Sequence, residues 1–337
     1  MHKRPLPIVF TVMLTLLFSL FFMALPAGAH GAKTTPVAQS SRAVSFKPLS
    51  TAAAKALAYW TPARMQAAIP MQTPQPEGKV TPSAPTTGPS GSGNGVAALS
   101  IYANKVKHTK YGQYPYSTVG KVFFTDPVTG YDYVCSGASV NGTNLNTVDT
   151  AGHCVVEGGS GSSPDWYTNW IFCPQYFKGS TPYGCWAEYE AWTWSDWINS
   201  GSLEDDFGDV AVYNNSYGYG NLVNVVGGTG WAYNYSPSKT FTDLGYPAES
   251  PYNGNLMYSC KSTGTGYSYD DGTVVETTCD MTGGCSGGPW LTSIKGVFGY
   301  VNGHNDFRYT NDPQHLYSPY YDYDWYQVFY AAENTSV

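Results

Sequence analysis

From about Val119 onward the hydrophobic pattern is a series of short β-type runs broken by turns. VGKVFFT, YDYVCSGASV, NTVDT, WYTNWIFC, CWAEYEAWTW, DVAVY, TFTDLGY, TVVETTC and GVFGYV read as strands. A period of two puts successive side chains on opposite faces of a sheet. Asp270-Asp271-Gly272 predicts a hairpin turn between Tyr267 and Val274. Many short strands at this spacing predict an antiparallel sandwich or barrels rather than a parallel sheet. The last segment differs: DWYQVFYAA, residues 324–332, places Trp325, Val328 and Phe329 on one face at helical spacing and predicts a terminal helix.

The pattern before Val119 is of another kind. Residues 3–29, KRPLPIVFTVMLTLLFSLFFMALPAGA, join a basic start, an apolar run and small residues at Ala27 and Ala29. This predicts a secretory signal cleaved after Ala29. A membrane anchor is the rival, because the run approaches spanning length, but the A-x-A ending favours cleavage. No other segment is apolar enough to cross a bilayer. Residues 30–71 are Ala-rich, with a short helix expected at LSTAAAKALAYW, and Thr73 to Gly95 is a Pro, Gly, Ser and Thr linker that can bury no core. The organisation expected is a signal peptide over 1–29, a propeptide and linker over 30–95 and a globular domain over 96–337. A spacer with no part in folding or inhibition is the alternative for 30–95.

Composition and charge sharpen this. Aromatics make up 16% of the 337 residues and charged residues only 12%, the composition of a turn-rich, all-β extracellular domain. Residues 1–102 carry a net charge of +7 and residues 103–337 a net −14. The acidic body argues against nucleic acid as a partner, and the basic leader is expected to be drawn to it. In a secreted chain the seven cysteines are disulfide partners first, and an odd count leaves one over.

Three segments carry candidate chemistry: DTAGHC with His153, EDDFGDVAV with Asp209, and GGCSGGPW with Ser286. A serine hydroxyl needs a base within hydrogen-bond reach. An imidazole suits that task, and a buried carboxylate fixes its tautomer and stabilises the imidazolium. The glycines around Ser286 let the backbone turn so that the amides of Gly284 and Ser286 converge on one spot, an oxyanion hole. With Cys285 as nucleophile the frame would slip by one residue and put Ser286 where the turn calls for glycine. Asp205 and Asp206 compete with Asp209 for the orienting role. Asp209 is preferred because Val-Ala-Val follows it and marks the start of a buried strand, whereas the other two are expected to face water.

TAGHC, DVAV and GCSGGP resemble the His, Asp and Ser motifs of trypsin-like serine peptidases. YPYSTVGKVFF, YVCSGASV and TAGHCV resemble more specifically the secreted bacterial branch that includes the glutamyl endopeptidases, and the resemblance runs from about Tyr114 to Ala332. It implies an all-β fold of two antiparallel six-stranded β-barrels, chymotrypsin-like, with a short C-terminal helix. His153 and Asp209 would come from the first barrel and Ser286 from the second. It implies a secreted, monomeric endopeptidase working through an acyl-enzyme, with protein or peptide substrates, its own propeptide as a partner before maturation, and no cofactor, metal or membrane after signal cleavage. The pairings it implies are Cys135–Cys154, Cys173–Cys185 and Cys260–Cys279, leaving Cys285. Cys285 stands where many animal members have an aspartate that pairs with the freed N-terminus, so activation is expected instead from cleavage within residues 90–115 that lifts a block. The slot of the histidine that glutamate-specific relatives carry after the serine falls on Phe298, against glutamate preference. Asp280, six residues before Ser286, matches the pocket aspartate of members preferring Arg or Lys. It equally matches a structural Cys-Asp pair.

Other features carry less. His108, His304 and His315 lack a partner at metal-ligand spacing, and the acidic clusters near Asp270 and Asp322 do not fit a regular calcium loop. The tyrosine-rich tail LYSPYYDYDWYQVFY suits a β-rich core better than a sugar-stacking surface. GGSGSS lacks the strand, helix and Lys or Asp of a phosphate loop. The functional alternative is a non-catalytic adhesin or lectin on an inactive peptidase scaffold. An esterase would need its serine between a parallel strand and a helix.

Overall fold

The computed structural model describes residues 42–76, 103–161, 163–215, 218–269 and 272–337. The expected signal peptide, the linker beyond residue 76 and the Asp270-Asp271 turn lie outside them. A leading segment carries β1 (Ala43–Phe46), α1 (Ala52–Tyr59), α2 (Pro62–Ala67) and β2 (Ile69–Pro70). After it come β3 (Asn104–Lys105), β4 (Val119–Thr125), β5 (Asp132–Val140), β6 (Thr147–Ala151), β7 (Thr168–Pro174) and β8 (Trp186–Trp194). Next are α3 (Ser195–Ser200), β9 (Phe207–Val212), α4 (Leu222–Val226), β10 (Gly230–Trp231), β11 (Thr240–Gly245), β12 (Tyr258–Thr263) and β13 (Thr265–Tyr269). The chain ends with β14 (Gly272–Thr278), β15 (Pro289–Lys295), β16 (Phe298–His304), β17 (His315–Pro319) and α5 (Tyr323–Glu333).

Six antiparallel strands close into a barrel in the order β4-β5-β6-β9-β8-β7, with β7 returning to β4. Closure leaves no free edge inside the ring. Its interior is aromatic and branched: Phe124, Trp170, Phe172, Trp186 and Val210 are fully or almost fully buried. The second half is two sheets, β10-β16-β15-β11-β12-β3 and β13-β14-β17. With the closed first barrel and the terminal helix, these sheets make up the all-β architecture expected. The break between the two sheets falls at Gly264, between β12 and β13, where a Cβ would stand 2.5 Å from the Pro237 carbonyl oxygen. The chain bends there and feeds a separate sheet. The flanks of the expected hairpin do pair, Tyr267 against Val274.

The terminal helix forms where its periodicity places it. Asp322 caps it by accepting from the Asp324 and Trp325 amides, and Trp325, Val328 and Phe329 are buried. Much of the tyrosine-rich tail is core: Tyr321 stacks on Trp325 at 4.1 Å and Trp325 on Phe329 at 5.3 Å. Disulfides join Cys135–Cys154, Cys173–Cys185 and Cys260–Cys279. Cys285 is free and buried, and burial pushes its thiol well above the ordinary range. Among the described residues no helix is long and apolar enough to cross a membrane.

Candidate active site

His153 sits in the short turn Gly152–Cys154 that ends β6. The Cys135–Cys154 disulfide fastens that turn to β5. Next to Cys135, the Ser136 amide donates to the Ser286 carbonyl at 2.7 Å and the Ser136 hydroxyl donates to the Gly284 carbonyl at 2.9 Å. The serine turn is thus pinned against the first barrel. Gly287 has φ +75°, and a Cβ on it would lie 2.0 Å from Thr150 Oγ1, so the turn passes β6 too closely for any side chain. Ser286 Oγ and His153 Nε2 are both buried and each lacks a hydrogen-bond partner, so the hydroxyl–imidazole bond is not made in this structure.

The carboxylate on His153 belongs to Asp206, not to Asp209. Asp206 Oδ2 accepts from His153 Nδ1 at 2.7 Å and Oδ1 from the His153 amide at 2.6 Å. Asp206 is fully buried rather than facing water. It precedes β9, whereas Asp209 lies three residues on inside that strand, on the other face. There Asp209 stands opposite Asp149, and neither of its carboxyl oxygens has a hydrogen-bond partner. Burial, then the charges of Asp149 and Glu333, push its carboxyl well above the usual range. A Cβ on Gly152 would lie 2.7 Å from Asp206 Oδ1, so the carboxylate's approach needs glycine there.

A second carboxyl reaches the same imidazole. Asp306 Oδ1 is 3.2 Å from His153 Nδ1, and Asp306 is also fully buried. Burial disfavours the charged form of His153, and negative charge on Asp206, then on Asp306, favours it. Beneath Asp206 lies His304, set aside by its spacing in the sequence. Its Nε2 is 3.0 Å from the Asp206 carbonyl, and its Nδ1 is 2.9 Å from the Tyr321 hydroxyl. That hydroxyl lies 2.9 Å from both carboxyl oxygens of Asp149. A carbonyl only accepts, so His304 Nε2 carries a proton. The Tyr321 hydroxyl donates to Asp149, and burial pushes Asp149 up to about 7 and His304 down to about 3.

The Gly284 amide is already engaged. It donates to the Met71 carbonyl at 2.9 Å, from a glycine with φ +90°. Residues 69–74 cross the site as a strap: β2 pairs in parallel with Tyr133–Val134, the Met71 amide donates to the Val134 carbonyl at 3.0 Å, and the Arg308 amide donates to the Pro74 carbonyl at 3.2 Å. Glu249 braces both sides, accepting from the Gly283 amide at 3.1 Å and from the Gln72 side chain. Apart from the Gln72 side chain the strap is held through its backbone, which leaves no mark in the side-chain pattern.

The two specificity candidates fall elsewhere. Asp280 Oδ1 accepts from the Ala103 amide at 2.5 Å and the Tyr252 hydroxyl at 3.0 Å, the structural task of the two left open. Phe298 is 74% exposed and pairs with Lys295 at the hairpin end of β16. His304, six residues on and roughly 20 Å away along the strand, pairs with Pro289 at the serine end. Phe298 therefore does not line the site, and the argument against glutamate preference drawn from it does not hold. His315 forms a compact group with Glu276 and Asp312, and pairs with Asp312 at 2.7 Å.

No protein-family model and no curated protein matches the chain. Solved structures do. The chain is 33% identical to protease Anisep from Arthrobacter nicotinovorans, over 65% of this chain and 96% of that one, with a TM-score of 0.58. It is 32% identical to the thermostable serine protease AL20 from an extremophilic microorganism, over 65% and 98% of the two chains, with a TM-score of 0.59. A Glu endopeptidase solved with MPD shares 19% identity over 68% and 96%, with a TM-score of 0.54, a likeness of fold.

Proposed function

The chain belongs to the chymotrypsin-fold serine peptidases, and from that premise we propose that it is a secreted endopeptidase cleaving peptide bonds through an acyl-enzyme. The observation that carries this is the buried His153–Asp206 pair at 2.7 Å beside the serine turn. Ser286 is the nucleophile, and His153 takes its proton and later gives it to the leaving amine. Asp206 holds the imidazole with its free nitrogen Nε2, and the Gly284 amide, with that of Ser286, receives the developing oxyanion. One such amide is worth about 2.7–4 kcal/mol of barrier. Three disulfides and the leader over 1–29 support secretion.

The chain is made as a precursor. In this reading the strap holds a carbonyl where the substrate's acyl oxygen would go, and cleavage within residues 90–115 lets it leave.

The test is covalent labelling by a fluorophosphonate. The processed chain is expected to take one label, on Ser286, and the Ser286→Ala variant none. A label that survives the substitution refutes the assignment. A processed chain that takes no label and digests no casein supports the binding-module alternative.

A further inference from the structure

Resting on the peptidase reading, we propose that Asp306 is a positioning residue: its carboxyl group keeps its proton and donates it to the Asp206 carboxylate, so that His153 faces a pair with a single negative charge. Two buried carboxyls converge on one imidazole nitrogen, at 2.7 Å and 3.2 Å, and the three groups lie within 4.8 Å of one another. His153 Nδ1 has one proton to give, and the shorter contact takes it. Asp206 Oδ1 is filled by the His153 amide. Apart from the contact with His153, neither Asp306 carboxyl oxygen has a hydrogen-bond donor among the described residues.

The titratable groups around Asp306 are Asp206 ahead of β9, His153 after β6, His304 on β16 and Tyr321 before α5. Among the described residues no lysine or arginine forms an ion pair with it. His304 donates to a carbonyl and is neutral, so no second cation is present to balance a second anion. A bare buried carboxylate is costly when unpaired, and two of them side by side do not both ionise. Burial and the charge of Asp206 both push Asp306 up, in accord.

The consequence concerns the base. Two ionised carboxylates would hold His153 as imidazolium across the neutral range, and an imidazolium takes no proton from Ser286. A proton kept on Asp306 removes one of those charges and supplies Asp206 with a donor. In the reaction His153 gains the Ser286 proton and passes it to the leaving amine, while the proton between the two aspartates stays where it is.

The experiment follows the His153 ring nitrogens by NMR in the processed wild-type chain, together with the acid limb of kcat/KM in variants. His153 is expected to titrate within about one unit of its ordinary value of about 6.5. Asp306→Ala is expected to lower kcat about tenfold with little change in KM, from loss of the donor to a charged group. Asp306→Asn, whose amide still donates, is expected to recover most of that loss and leave the limb in place. An ionised Asp306 gives the opposite result: His153 titrates well above its ordinary range, and the Asn variant moves the limb down by about one unit or more. Either outcome overturns the proposal, as does an Ala variant with unchanged kcat. If neither variant folds, the wild-type titration decides alone. It is read without activity, so failure of the peptidase reading shows separately, in the labelling.

Discussion

At the residue scale, one choice separates two neighbouring aspartates. Asp206 fills two hydrogen bonds from His153, and Asp209 fills none. Asp206→Asn keeps the shape but presents the wrong tautomer to the ring, and is expected to cut kcat by about 10⁴. Asp209→Asn is expected to stay within about threefold of wild type, since burial already disfavours the charge there. Steady-state hydrolysis of a peptide ester by both variants checks this, and the reverse ranking would restore Asp209. The sequence held both candidates in EDDFGDVAV, but the rule that an aspartate before Val-Ala-Val starts the buried strand chose the wrong one. The rule correctly places Asp209 in the strand. It says nothing of the face, and a residue three positions away points the other way.

At the element scale, the strap is the feature that acts as a unit. Its hold is main-chain pairing with β5 and the serine turn, and its attachment to the same chain makes the local concentration high. Unprocessed chain is therefore expected to react with a fluorophosphonate at least about tenfold more slowly than processed chain. Equal rates measured side by side would show that the strap does not guard Ser286. Short runs rich in β-branched and aromatic residues made β4, β5 and β8 legible, and helical spacing made α5 legible, because each follows from its own residues. β2 is two residues long, and a backbone contact leaves no mark in side-chain pattern.

At the scale of the whole molecule, the acidic body hides many of its carboxyls. Burial pushes Asp149 and Asp243 from 3.8 to about 7 and Glu188 from 4.5 to about 8. A raised acid is neutral in the fold, so its stabilising share is complete below about pH 4 and is lost as pH rises through 7 to 8. Lys121 works oppositely: burial lowers it from 10.5 to about 7, so its share is complete above 10.5 and lost as pH falls through 7. Between pH 5 and pH 8 the acids prevail. Calorimetry on the Ser286→Ala variant, which cannot digest itself, is expected to show a thermal midpoint at least about 5 °C lower at pH 8 than at pH 5. A midpoint that is flat or rising over that range would contradict the burial of these groups as neutral acids.

By itself the sequence determined what local pattern can carry: an all-β body, a terminal helix, and two candidate site residues, His153 and Ser286, each flanked by glycine. Tertiary structure alone decided which carboxylates meet the imidazole, that Phe298 lies far from the serine, and that a leading segment lies over the Gly284 amide. The reason is distance along the chain. Asp206 is 53 residues from His153, and Asp306 lies beyond the serine in the other half of the molecule. Contacts of that span are set by strand register and by the closure of the first barrel, and neither leaves a trace in any short stretch of residues.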